Sequence, residues 1–180
     1  MTEITYRPPT DADTEALCQL GRDTFVETFG TLYSEKDLNH FLVTVFGPEG
    51  MPLEMKDPEL ALLVAEDDGQ LVGYCKVGAL HTEVEADPNR RALELRQLYV
   101  RSSHHGRGVA QKLMDWGLEE LRRRGAEDVF LTVYSENHRA QKFYGRYGFV
   151  EVGKNIFWVG DQPDDDRIWK LSLTEPAVAA

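Results

Sequence analysis

The chain has only two cysteines, Cys18 and Cys75, and they fall in no Cys-x-x-Cys or Cys/His spacing. That leaves neither a zinc ribbon nor a dithiol redox centre. Both lie among apolar residues of helical or strand period and read as buried thiols in a reducing compartment. No apolar run approaches the ~20 residues of a membrane span. The start Met1-Thr2-Glu3-Ile4 lacks the basic-then-apolar pattern of a secretory signal, so the expected location is the cytoplasm. Positive charge is scarce: 20 Lys and Arg stand against 31 Asp and Glu, a net −11. Nucleic acid and anionic membrane surfaces want the opposite sign, so neither is an expected partner, whereas a small cation is compatible. Solubility is the bland reason for the same surface. Internal repeats and low-complexity tracts are missing too. One domain over 1–175 is expected, with 176–180 as a frayed tail.

Forty-two per cent hydrophobic residues suffice for a core in a chain of this length. Ile4 to Arg7 reads as a first strand closed by Pro8-Pro9, and Thr10 or Asp11 can cap a helix whose apolar face is Leu17, Leu20, Phe25 and Phe29. Ser34 and Asp37 resemble a capping box for a second helix through Phe41, Leu42 and Phe46; Gly47 to Gly50, Pro52 and Pro58 then break the pattern. Ala61 to Glu66 and Leu71 to Leu80 are strands around an Asp-Gly hairpin turn, followed by a polar loop from His81 to Arg91. Val129 to Tyr134 is another strand. Ser135 can cap the next helix, whose stripe is Ala140, Phe143, Tyr144 and Tyr147. Phe149 to Val159 and Arg167 to Leu173 read as a closing hairpin around the loop 160–166. The order β-α-α-β-β-β-α-β-α-β-β predicts a mixed α/β sheet.

The most informative stretch runs from Leu93 to Ala110. Leu95, Leu98, Tyr99 and Val100 are β-leaning, His104-His105-Gly106-Arg107-Gly108 is a turn, and Val109, Leu113, Trp116 or Gly117, and Leu121 form a helical stripe ending at Arg122 to Gly125. A strand, a glycine loop and a helix N-terminus aim backbone N–H groups and a positive dipole end at one spot, which suits an anion. Gln111 stands where a dinucleotide fingerprint needs its third glycine, and the Lys-Ser/Thr of a P-loop is missing. The segment His105-Gly106-Arg107-Gly108-Val109-Ala110 instead resembles the pyrophosphate loop of the Gcn5-related N-acetyltransferases (GNAT), Gln/Arg-x-x-Gly-x-Gly/Ala, with His105 where Arg or Gln is usual. Asn137-x-x-Ala140-x-x-Phe143-Tyr144-x-x-x-Gly148-Phe149 resembles the family's second segment, one strand downstream. Thr24 to Gly30, Glu94 to Val100 and Gly153 to Asp161 resemble its bacterial spermidine/spermine-type branch.

The resemblance implies a fold and a set of roles. The fold is a single α/β (α+β) domain with a mixed, mostly antiparallel sheet, a splayed strand pair and helices on both faces. Acetyl-CoA is the implied co-substrate. Leu98, Tyr99 and Val100 lie along its pantetheine, with Leu98 and Val100 supplying backbone partners. His105, Gly106, Arg107, Gly108, Val109 and Ala110 cradle the pyrophosphate, and Asn137 holds the pantetheine amide or the thioester region. Tyr144 is the general acid beside the sulfur; without the motif it reads as a core tyrosine. Glu94 is the candidate base, acting through water, because it alternates on one face with Arg96 and Leu98; an Arg96–Glu94 ion pair explains it equally well. Tyr134 and Glu136 come next as base candidates. Glu27 is a further amine anchor to weigh, and the aspartates of 161–166 either steer a polycation or form a solvated turn. No metal is expected: His104 and His105 are adjacent, so their side chains diverge, and no third ligand is suitably spaced. The expected acceptor is a small primary amine, a polyamine above all. A protein N-terminus or lysine is the alternative acceptor, and an acetyl-CoA-binding sensor is the non-enzymatic one. Homodimers are frequent in the family, though no residue here requires one.

Overall fold

The computed structural model describes residues 3–174, so the expected 176–180 tail lies outside the described residues. The elements are β1 (Thr5–Arg7), α1 (Thr14–Phe29), α2 (Glu35–Phe46), a single turn α3 (Met51–Glu54), β2 (Leu60–Asp67), β3 (Gln70–Ala79), β4 (Ala92–Val100), α4 (Val109–Arg123), β5 (Asp128–Tyr134), α5 (His138–Arg146), β6 (Val150–Val159) and β7 (Gln162–Ser172). The strands form one sheet in the order β1-β2-β3-β4-β5-β7-β6. Every neighbouring pair is antiparallel except β4–β5, which the α4 crossover makes parallel. No helix among the described residues is long and apolar enough to cross a membrane.

Each face of the sheet carries its own core. Leu17, Leu20, Phe25, Phe41 and Phe46 of α1 and α2 pack on Leu62, Val64, Leu71 and Tyr74. On the other face Val109, Leu113, Met114, Leu118 and Leu121 of α4 pack on Cys75, Val77, Leu95, Val129 and Leu131. The helix signals work locally as expected: Ser34 Oγ accepts from Asp37 N–H (3.1 Å), and the chain leaves α4 through Gly125 at φ +82°. The β2–β3 turn has Asp68 at φ +51° and Gly69 at +75°, both left-handed, as a two-residue hairpin turn of this hand requires.

Three expectations need correction. The cap of α5 is Asn137, whose Oδ1 accepts from Ala140 N–H (3.2 Å), and not Ser135. Pro52 does not only break structure: it sits at the start of α3, where its missing N–H costs nothing. The closing hairpin turns at Gly160-Asp161, and β7 begins at Gln162. The run of aspartates looks like a loop by composition, yet Asp164 and Asp166 face inward and Asp165 outward, the alternation of a strand.

The base of the β4–β5 pair rests on one buried carboxylate. Asp128, 1% exposed, accepts from Arg90 Nε and Nη2 (2.8 Å each) and Ser172 Oγ (2.9 Å), with Lys170 Nζ at 3.0 Å. Hydrogen bonding from Arg90 outweighs the cost of burial and lowers its pKa to about 2. An ordinary aspartate titrates at ~3.9, so this stabilisation is whole above ~pH 4 and is lost as pH falls toward about 2. Asp128→Asn is expected to cost about 3 kcal/mol in urea unfolding at pH 7 and to flatten the acid limb of the stability curve. A cost below about 1 kcal/mol would reduce this cluster to an ordinary surface pair.

Candidate active site

The site starts where the sheet comes apart. β4 and β5 pair at Ala92–Asp128, Leu93–Val129 and Glu94–Phe130, and then run on unpaired to Val100 and Tyr134. Arg101 N–H donates to Val72 C=O (2.9 Å), toward β3. Strand alternation therefore turns the N–H and C=O of Leu98 and Val100 the other way, into the split. Val100 C=O accepts from His105 Nε2 (2.9 Å), so Val100 offers the split only its N–H, whereas Leu98 offers both groups. Tyr99, expected among the cofactor residues, instead turns its backbone toward Tyr74 of β3 and its ring to the α1–α2 side.

A β-bulge decides the facing. Val77 pairs with Leu95 and Lys76 with Gln97, which makes Arg96 the extra residue on β4. Leu93, Leu95, Leu98 and Val100 thus all face α4, and the expectation that Glu94 shares a face with Leu98 is overturned. Glu94 is 5% exposed and accepts from His81 N–H (2.6 Å), Thr82 N–H (3.0 Å) and Thr82 Oγ1 (2.7 Å). It holds the 81–82 loop at the closed end of the split. Arg96 reaches Glu54 (3.4 Å) rather than Glu94, and Glu54 also pairs with the buried Lys76.

At the open end the chain enters the loop 105–108. Gly106 (φ +77°) and Gly108 (φ +79°) are left-handed, and a Cβ on either would meet no protein atom within 4 Å: the loop's concave side is open. The first backbone bond of α4 that closes on the loop is Lys112 N–H to Gly108 C=O (3.1 Å), so the amides of Val109, Ala110 and Gln111 point out of the helix end. The two histidines diverge. His104 Nε2 and Arg107 Nη1 both meet Asp67 (3.0 and 2.9 Å), which ties the loop to the end of β2. His105 lies under Arg139 of α5, with Nδ1 2.7 Å from Nη1. Glu27, weighed as an amine anchor, accepts from Ser102 N–H (2.9 Å) and braces the same loop.

α5 supplies the wall beyond β5. With Oδ1 committed to its cap, Asn137 has its Nδ2 to offer a ligand. Tyr144 is half-buried between Phe143 and Phe149 (ring centroids 5.6 and 6.0 Å). Its phenol pKa is raised, by burial first and then by Tyr99 and Cys75, and its ring packs against the core on the α4 side of the sheet.

The opposite wall is built by aspartates of the 161–166 run, expected either to steer a polycation or to form a solvated turn. Asp164 and Asp166 of β7, 8% and 7% exposed, face the α1–α2 side. Tyr33 OH donates to Asp164, and Tyr134 stands directly across from Asp166 in register. Phe29 meets Tyr134 edge-on at 6.2 Å. The segment bearing Tyr33 is pinned down from both sides, since Asp161 N–H donates to Asp37 (3.0 Å) and Gln162 Nε2 to Leu32 C=O (3.1 Å). The signal was there, in Asp-x-Asp at strand period next to a strand end, but composition masked it. Burial above all, and then the charges of Asp164 and Asp165, pushes the Asp166 pKa up to about 7, with a hydrogen bond from Thr132 opposing.

Residues 15–149 match the family model described as the acetyltransferase (GNAT) family. An uncharacterised N-acetyltransferase of Lactobacillus delbrueckii subsp. lactis is 27% identical over 96% of this chain and 99% of its own length. One of Mycobacterium tuberculosis is 35% identical over 66% and 71%. Among solved structures, the PaiA N-acetyltransferase of Thermoplasma acidophilum in complex with coenzyme A has the same fold, with a TM-score of 0.74 at 18% identity over 94% of this chain and 99% of that one. YncA of Salmonella typhimurium, solved with acetyl-CoA, gives 0.66 at 22% over 97% and 96%. The split sheet, the glycine loop before α4 and the match along most of its length agree: the chain belongs to the GNAT family of acetyltransferases.

Proposed function

We propose that the protein transfers the acetyl group of acetyl-CoA to a primary amine of a small cation, of the polyamine class, by direct attack in a ternary complex. One observation carries this reading. The β4–β5 split opens on one side to a backbone cradle for an anion and on the other to a buried acidic wall. The residues suit acetyl-CoA. Leu98 N–H and C=O and Val100 N–H would pair with the pantetheine amides as an added strand does. The amides of 106–110 would hold the pyrophosphate, and Arg139 lies beside them. His105 and Arg107 then serve the cradle through their backbone, since their side chains are spent on Val100 and Asp67.

An alkylamine titrates near ~10, so only about a thousandth is neutral at pH 7, and the protein must take a proton from it. The neutral nitrogen forms the C–N bond, the C–S bond breaks, and Tyr144 donates its hydroxyl proton to the leaving sulfur. A phenol whose pKa is raised keeps that proton until the thiolate develops. To Glu94 this reading gives positioning of the 81–82 loop, because both its oxygens are engaged there.

Thiol release from acetyl-CoA, measured with spermidine, spermine, lysine analogues, aminoglycosides and short peptides, is expected to be fastest with the polyamines. Preference for peptides would move the acceptor to a protein, and tight binding without turnover on any amine would favour a sensor. Tyr144→Phe is expected to lower kcat by ~10²–10⁴ with little change in acetyl-CoA affinity; unchanged turnover removes Tyr144 from the chemistry. Gly108→Trp is expected to abolish acetyl-CoA binding in calorimetry and leave a folded domain, since its side chain meets no protein atom and the left-handed φ of +79° costs only about 1–2 kcal/mol. Normal binding by that variant would mean the cradle lies elsewhere.

A further inference from the structure

Two buried carboxylates stand side by side on β7 without a cation. The neighbouring charges are all engaged elsewhere: Arg167 pairs with Asp165 (2.7 Å) and Glu151 (3.5 Å), and Lys170 with Asp128 (3.0 Å). Among the described residues no Lys, Arg or His pairs with Asp164 or Asp166, whose partners are the hydroxyls of Tyr33 and Thr132. A carboxylate accepts about four hydrogen bonds, so most of that capacity is unused. Burying uncompensated charge is costly, and the usual remedy is a counter-ion.

A second, independent feature points to what fills the place. Asp166 lies across from the last residue of β5, Tyr134, in the half of the strand that has left β4. There the ladder is missing and the sheet is open to a ligand. Tyr99 of β4, the strand across the gap, packs with the core on the α1–α2 side, and its phenol pKa is raised by burial first and then by the Asp166 charge. Tyr33 bonds to Asp164, Tyr134 stands beside Asp166 in register and Phe29 packs on Tyr134, an aromatic setting that suits an alkylammonium better than a hydrated metal ion.

We propose that Asp164 and Asp166 form the ammonium site of the acceptor, and that Asp166 takes the proton the amine must lose before it attacks acetyl-CoA. This rests on the amine-acetylating reading above. The ammonium gives one proton to the Asp166 carboxylate, and the freed lone pair forms the C–N bond as the C–S bond breaks. Tyr144 protonates the sulfur, and the second proton lost from nitrogen restores its phenol. Asp166 then releases its proton to water, so the cycle delivers one proton to solvent.

The groups facing Asp166 are Asp164 and Asp165 on its own strand, Thr132 and Tyr134 on β5, Asn155 on β6, Tyr99 on β4, and Tyr33 before α2. With these in place, kcat/KM for spermidine is expected to rise with pH through a limb near 7 as Asp166 ionises. Asp166→Asn is expected to lower kcat/KM by ~10²–10⁴, remove that limb and leave acetyl-CoA binding intact. Asp165→Asn, on the outer face, is expected to keep the rate and to move the limb to lower pH without removing it, since the Asp165 charge is one of the lesser causes that raise the Asp166 pKa. A limb that persists in Asp166→Asn and disappears in Glu94→Gln would identify Glu94 as the base and overturn the proposal. A binding readout separates this from the enzymatic reading. Spermidine at pH 8 is expected to raise the Tm of the wild type and of neither Asp164→Asn nor Asp166→Asn. That result without any turnover would uphold the ammonium site and count against the acetylation reading alone. No shift in the wild type, or an equal shift with calcium chloride, would overturn the ammonium site. Before ligand binds, a buried carboxylate whose pKa is raised from ~3.9 to about 7 loses stability as pH rises from ~4 toward 7, so Asp166→Asn is also expected to level the fall in Tm between about pH 5 and 7.

Discussion

The ladder between β4 and β5 stops after three pairs, and nearly everything of consequence follows from that stop. A parallel pair joined by a crossover helix would ordinarily zip along its length. Here β4 continues flush with β3, and β5 follows β7. The two halves of the sheet therefore twist apart from a common root. The root is held by the Asp128 cluster below and by Glu94 with the 81–82 loop beside it. Leu98 is left with backbone groups that no strand satisfies, at the mouth of a glycine loop. Unsatisfied strand edges invite pairing, and a ligand of extended shape is the natural partner.

Both walls of the split are built by packing rather than by loops. On one side α5 carries Tyr144 on the stripe that packs into the α4 core. On the other, Phe25 stacks on Tyr33 and packs at a tilt against Phe29 and Phe41, and the hairpin tip is tied to the start of α2, so Tyr33 is delivered to Asp164 by rigid elements. The bulge at Arg96 joins these two constructions. It keeps Leu93, Leu95, Leu98 and Val100 toward α4 and hands Tyr99 to the opposite face, the one the acidic wall also faces.

Charge is distributed to match. Three ion pairs hold the frame, Arg90 with Asp128, Asp67 with Arg107 and Lys76 with Glu54, while Glu94 and Glu27 hold their loops through backbone N–H groups. The unbalanced aspartates, Asp164 and Asp166, lie at the split. The overall excess of acid read from composition is thus not only a solubility feature. Part of it is buried where a cationic ligand would be welcome, and composition has no means of distinguishing the two.

What the residues determined by themselves was everything governed by local period and local backbone preference. The order of elements, the Asp68-Gly69 turn, the glycine turn at 104–108 and the stripe through Tyr144 depend on neighbours a few positions away, so the sequence carries them. The divergence of His104 and His105 belongs to the same class. Tertiary structure decided the rest. Whether Glu94 faces with Leu98 depended on a bulge at Arg96, set by how β4 meets β3. Whether Val100 offers its carbonyl depended on where His105 folded. Whether 160–166 was a solvated loop or a buried acidic strand depended on β5 and β6 arriving on either side of β7, with α2 closing over it. An aspartate looks the same in a turn and in a pocket until distant strands have removed the water around it.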